Sequence, residues 1–392
     1  MKFFLSRLSC IALCLLLAFP TISAKGPSTK KAMNQIFKSY IELLPYASNE
    51  LRFKDPASEK LIKKNLSAIL SAFQTAKHSK DIQSPGMQPS FEAVENHLKL
   101  TEASFNAKNL HFARVRLKAT AELCISCHTQ LPESKKGKLL SHFENVQMTN
   151  FENDYERGDF FFLLRDYPKA LKFYQKEVNQ RLEKNKKLRA ASKGQKAFYS
   201  DFTIEMSLRR MLSIYTKVRY DPSKALKTLE PYLSNKENST FPQSIVRSLK
   251  EWNESLISWK ASSFKGDFNI EKELLTFLEK HPVDEESSDV DLLIAAGALY
   301  RFINKNPNSS SIPMALYNLG KIDNFLEHSY LYSLGELYLK RCITKYSSSP
   351  FARKCFKEYQ DVIEFGFTGT SGTHIPAEEQ AELKRLKSFL KK

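Results

Sequence analysis

Six cysteines occur in this 392-residue chain, and two of them, Cys124 and Cys127, stand two residues apart in "ELCISCHTQ" with His128 next in line. Thiols and an imidazole at this spacing can serve three chemistries. A zinc site would need four ligands, normally from a second compact Cys/His pair. Here the remaining downstream cysteines, Cys342 and Cys355, lie far off and thirteen residues apart. A redox dithiol would need a βαβ setting, and no alternating strand pattern surrounds the motif. C-x-x-C-H is also the attachment signal for c-type haem. In that chemistry the two thiols form thioethers to one macrocycle and the adjacent imidazole reaches its iron. The expectation is one covalently bound haem c, with Cys124 and Cys127 as its attachment points and His128 as an axial ligand.

Haem attachment needs export and reduced thiols. The first residues, "MKFFLSRLSCIALCLLLAFPTISAKG", carry Lys2 and Arg7, then an apolar run to Phe19, Pro20 and a small-residue end at Ala24. That is the pattern of a secretory signal peptide over 1–24, too short for a membrane span. Neither Cys10 nor Cys14 follows a convincing lipobox. The localisation expected is export, to the periplasm of a Gram-negative bacterium.

The elements around the motif read as helices. "KKAMNQIFKSYIELLPY" places Met33, Ile36, Phe37, Tyr40, Ile41 and Leu44 on one stripe, with Pro45 expected to end it. A second helix starts after Asp55 and Pro56, with Ile62, Leu66, Ile69, Leu70 and Phe73 on one side. A third, "FEAVENHLKLTEASFNA", has Ser90 as the expected cap. A fourth, "NLHFARVRLKATAELCISCH", carries Leu110, Ala113, Leu117, Ala121, Cys124 and His128 along one stripe. Short connections favour antiparallel neighbours, which brings the motif beside the start of the first helix, where Met33 lies. With so few glycines, 12 in all, and helical periodicity throughout, the expected class is all-α.

Residues 25–134 on this reading resemble the cytochrome c-prime family, a four-helix bundle with C-x-x-C-H near the end of its fourth helix. The resemblance covers about a quarter of the chain and rests on helix count, spacing and one motif. It implies a mono-haem protein whose sixth iron position is either open, suiting gas binding, or filled by a methionine near the start of helix one, suiting electron transfer. Met33 stands at that position and is the candidate sixth ligand. His78, His97, His111 and His142 are weaker candidates, read as ordinary surface or packing residues. Arg114 and Lys118, on the motif helix, could pair with haem propionates.

Residues 135–150 read as a linker. From 151 to 365 the chain reads as an α-solenoid of degenerate helix-turn-helix repeats. "NDYERGDFFFLLRDYPKALKFYQKEV" resembles one tetratricopeptide repeat, with Gly158, Ala170 and Tyr174 at packing positions. "DPSKAL", with Ala225, echoes it. A third pair is "NIEKELLTFLEKHP" with "SDVDLLIAAGALYRFINKNP", and a last one carries Gly335, Tyr338, Ala352 and Tyr359. Stacked helix pairs leave a concave surface that binds peptides or proteins. Cys342 and Cys355 fall on the two helices of the last pair, so an oxidising compartment would join them in a disulfide. Residues 366–392 form a Gly/Thr loop, "GFTGTSGTHIP", containing His374, and a terminal helix.

The charge balance, 60 Lys+Arg against 43 Asp+Glu, gives a formal net charge of +17. Such an excess favours an acidic protein partner or an anionic membrane surface. Export and the lack of aromatic interleaving in "RLEKNKKLRAASKGQK" argue against nucleic acid. No nucleophile–base constellation and no second haem motif point to enzymatic turnover. The expected function is electron transfer with the repeats docking a redox partner or assembly. The alternatives are a haem-based gas sensor that signals through the repeats, or an interaction scaffold in which haem is structural.

Overall fold

The computed structural model describes residues 29–79, 82–131, 151–191, 202–233, 241, 243–268, 270–326, 333–370 and 372–390. The leader expected over 1–24, the 135–150 linker and His142 lie outside the described residues. The fold is all-α. Among the described residues there are sixteen α-helices, and the one sheet is a two-residue ladder.

The first helix, α1 (Thr29–Ala47), buries Ile36, Phe37, Tyr40 and Leu44 of the expected stripe together with Ala32 and Leu43, while Met33 and Ile41 are half-buried. It does not stop at Pro45. A proline removes one backbone donor, but here the loss falls in the last turn, and Ser48 N–H still closes on the Leu44 carbonyl at 3.0 Å. A short helix, α2 (Glu50–Lys54), follows, capped by Asn49. Asp55 caps a 3-10 turn over Pro56–Ser58 rather than the long helix itself, and α3 (Glu59–Ala76) continues from there. The next helix, α4, runs Met87–Asn106. It starts ahead of the Ser90 cap that the sequence suggested, because Ser84 accepts from the Met87 and Gln88 backbone amides first. Pro89 then fits within the first turn, where its missing N–H costs nothing. Lys108, at φ 62°, turns the chain into α5 (Leu110–His128), capped by Asn109. Helix α1 packs along α3, α3 against α4 and α4 along α5, while α5 also meets α1.

Two helices, α6 (Asp154–Leu163) and α7 (Tyr167–Ala191), form a close hairpin. Gly158 lies so near the Tyr174 ring that a Cβ there would sit 2.4 Å from it. Ala170 and Tyr174 are fully buried. Helix α8 (Phe202–Ser213) packs on α7 and ends in a π-turn, Ile214–Val218. Then come α9 (Pro222–Leu233) and α10 (Gln243–Ala261), packed on each other.

The third anticipated pair is not a close hairpin. Helix α12 (Asp289–Lys305) leaves α11 (Glu271–Lys280) and packs on the π-turn and on α13 (Ile312–Leu326). Gly297 makes this possible: a Cβ there would come 2.2 Å from the Lys217 carbonyl oxygen. Helices α14 (Gly335–Lys345) and α15 (Pro350–Gly366) pair closely, with Tyr338, Ala352 and Tyr359 fully buried and Gly335 also buried. Cys342 and Cys355 are joined by a disulfide between them. The Gly/Thr segment forms β1 (Thr368–Gly369) and β2 (Gly372–Thr373), and α16 (Ala377–Phe389) ends the described chain, packed on α14 and α15. No helix among the described residues is long and apolar enough to cross a membrane.

Candidate functional site

The last turn of α5 carries the motif, and the stripe that begins with buried Ala113 and Leu117 ends in a cavity of about 290 Å³. Cys124, Cys127 and His128 all line it. Met33 lines it from α1, with Ile36, Phe37 and Tyr40. Ile69 and Phe73 of α3 and Phe91 and Val94 of α4 form further walls, and Leu163, Leu164 and Arg165 enter from the turn between α6 and α7. The walls are almost wholly apolar. The charged side chains around them are Lys30 and Arg165, and no Asp or Glu among the described residues contributes to the lining. Such a cavity suits an apolar ligand.

Both motif cysteines are free thiols. Burial pushes each of them up to about 12. Among the described residues no group of three or more His, Cys, Asp or Glu side chains stands ready to hold a metal ion. Cys342 and Cys355 are committed to their disulfide.

The imidazole of His128 is oriented by the fold. Its Nδ1 lies 2.8 Å from the Leu163 carbonyl oxygen. A carbonyl can only accept, so Nδ1 carries the proton and Nε2 is left with a lone pair. Burial drives the His128 pKa down to about 4; the Leu163 bond opposes the shift and the Arg165 charge adds to it. The ring is therefore neutral at pH 7 and fit to ligate.

The chain after the motif is held at several points. Arg165 donates to the Leu131 carbonyl at 3.0 Å. Asn304 donates to the Gln130 carbonyl at 2.9 Å. The Gln130 amide donates to Ser90 Oγ and, at 2.9 Å, to the Tyr338 hydroxyl, which lies 2.7 Å from that of Tyr300. Two residues before Cys124, Glu122 meets the fully buried Arg210 at 3.5 Å, and Arg210 Nε donates to Asp159 at 3.2 Å. The end of α5 is thus embedded in contacts from α6, α8, α12 and α14.

Other candidate residues fall elsewhere. Arg114 is engaged by the Ala47 carbonyl and Glu50, and Lys118 by Glu152 and Glu156; neither lines the motif cavity. His97 is buried between α4 and α5, its Nε2 donating to the Arg116 carbonyl at 2.7 Å. His78, His111 and His374 are exposed. Lys30, Leu163 and Arg165 were missed as site residues. The spacing of "RDYP" marks Arg165 only as a turn residue, and nothing local links that turn to a motif 37 positions earlier. No family model, no curated protein and no solved structure matches the chain.

Proposed function

We propose that this chain is an exported mono-haem c-type cytochrome, in which a c-prime-like bundle of α1, α3, α4 and α5 holds the haem and the later helices form a tetratricopeptide-like docking domain. The observation that carries the reading is the shared cavity. Two thiols, an imidazole with a free Nε2 and a thioether sulfur from Met33 line one apolar space whose charged rim is cationic. This donor set fits a haem: Cys124 and Cys127 would hold it covalently, His128 would ligate the iron, and Met33 is the candidate second axial ligand. When bound, haem supplies a one-electron couple set by its ligands, burial and neighbouring charges.

The protein's own part is physical. The apolar walls from α1, α3 and α4 exclude water and keep the site in a low dielectric. The Leu163 carbonyl holds the His128 ring in one tautomer and raises its basicity as a ligand. Concave helix pairs and the basic surface would dock an acidic redox partner, an assembly or an anionic membrane surface.

The test is the matured protein itself. Wild type produced with a haem-attachment machinery should keep its Soret band after acid-acetone extraction, and Cys124→Ala or Cys127→Ala should reduce covalent haem severely. A colourless wild type would end the proposal. Met33 is decided by the reduced spectrum, since a narrow low-spin α band that persists in Met33→Ala excludes it. A second reading, a gas sensor, draws on the His128–Leu163 bond, which couples an axial ligand to α6. Carbon monoxide binding to the reduced native protein would favour it.

A further inference from the structure

We propose that a second cavity, built by α1, α5 and α6 beside the motif cavity, binds a small primary ammonium compound with an apolar tail. This does not depend on the haem reading. The cavity encloses about 310 Å³, at the small end of the range for ligand pockets. It shares Tyr40 and Leu163 with the motif cavity but differs from it in charge. Glu122, Glu156 and Asp159 line it against one cation, Lys118. Lys118 is itself held by Glu152 at 2.9 Å and by Glu156 at 3.4 Å. Arg210, which does not line the cavity, is shared between Asp159 and Glu122. Among the described residues, carboxylates thus outnumber cations around this space, in a chain whose formal net charge is +17.

Tyr40 points to a ligand independently of the acidic groups. It is 8% exposed, and its hydroxyl has no hydrogen-bond partner among the described residues. Burial pushes the ionisation of the phenol upward, and Cys124, Asp159 and Glu156 add to the shift. The hydroxyl is therefore neutral, and it stands in the wall between Cys124 on the motif side and the two carboxylates on the other. A buried hydroxyl without a partner is costly. A donor entering from the acidic side would satisfy it and meet Asp159 and Glu156 together. A primary ammonium brings three N–H donors and the matching charge. The remaining walls suit its tail: Leu44 and Val115 are aliphatic, and the Phe151 and Phe160 rings lie 5.2 Å apart and favour a cation beside them. A metal ion is a poorer match, because no group of three or more His, Cys, Asp or Glu among the described residues could hold one.

The experiment is calorimetric titration of the full-length protein with phenethylammonium, phenethyl alcohol and phenylacetate, which keep one ring and change the charge. Phenethylammonium should bind saturably at one site, the alcohol more weakly and the anion not at all. Glu156→Gln keeps the shape of a partly exposed side chain and removes its charge. It should weaken the cation about tenfold, as loss of one charge-assisted hydrogen bond does, and leave the alcohol unchanged. Tyr40→Phe should weaken both by a smaller factor. Ala119→Leu, at a half-buried wall position, should abolish both by filling the space. The site is overturned if the wild type shows no saturable binding of phenethylammonium, if the three probes bind equally, or if binding is undiminished in Ala119→Leu. Should Ala119→Leu fail to fold, judged by its helical circular dichroism, Glu156→Gln decides alone, and an unchanged affinity for the cation rejects the site. None of these readouts uses a haem signal, so their outcome is separate from that of the c-type reading.

Discussion

A histidine buried in its neutral form is a cost that appears only when pH falls, and His97 carries one that does not depend on any cofactor. It joins α4 to α5 through the Arg116 carbonyl and Thr120. Burial drives its pKa down from 6.5 to about 4, the backbone bond opposing the shift and Arg116 adding to it. The unfolded chain therefore takes up a proton at a pH where the folded chain does not. The stability this contributes is complete above pH 6.5 and is lost as pH falls toward 4. Between pH 7 and 4.5 His97 alone should cost the fold roughly 2 kcal/mol. In His97→Gln, denaturant titrations across that window should show a flatter stability profile than wild type. Parallel profiles would mean the ring is not buried neutral. The same comparison tests the packing of the helix that carries the motif, because His97 fastens it to α4 three turns before Cys127.

At the scale of elements, packing that requires a small residue is the most exacting feature. Gly158 of α6 faces the Tyr174 ring, and that ring cannot retreat: Tyr174 is fully buried and its hydroxyl donates to Asp159 at 2.5 Å. Gly158→Ala should therefore destabilise the protein by about 1–3 kcal/mol, as overpacked core sites do, despite the better helix propensity of alanine. A denaturation midpoint equal to wild type would show that α6 and α7 can separate freely. Periodicity made such elements readable. Most of the stripe on α1 and the end of α5 at His128 lie where spacing puts them. What spacing could not give was long-range choice. Helix α12 leaves α11 for the π-turn because Gly297 admits the Lys217 carbonyl, a contact between positions 80 apart. Ser90 does not cap α4, which begins three residues earlier, and its hydroxyl instead meets Gln130. The C-x-x-C-H motif was legible as chemistry, but the turn that closes its cavity was not. The Leu163 carbonyl and Arg165 belong to a turn whose local sequence records only that the chain reverses there.

In the whole molecule the end of the motif helix is where the two halves of the chain are tied together. Gln130 is 2% exposed and its amide bridges Ser90 of α4 to Tyr338 of α14, while Asn304 of α12 holds its carbonyl. The Tyr338 hydroxyl also meets that of Tyr300. These are buried polar groups, and leaving one without its partner costs about 1–3 kcal/mol. Their position makes them more than a local contribution, since they connect the first four long helices to helices more than 170 residues later. The chain offers two separate reporters of this coupling. Both tryptophans, Trp252 and Trp259, lie on α10, whereas the Soret band of the matured protein would report on the motif end of α5. In wild type the two signals should lose their native values at the same denaturant concentration, as one cooperative unit does. Tyr338→Phe keeps the ring and removes the shared hydroxyl, so α14 loses its hold on Gln130 while its apolar packing remains. The expected outcome is a lower midpoint for both signals and a separation between them, the tryptophan transition coming first. Coincident and unshifted transitions in the variant would mean that the Gln130–Tyr338–Tyr300 contacts do not couple the motif-bearing helices to the later ones, and that other contacts between them, such as the packing of α5 on α6 and of α4 on α14, suffice.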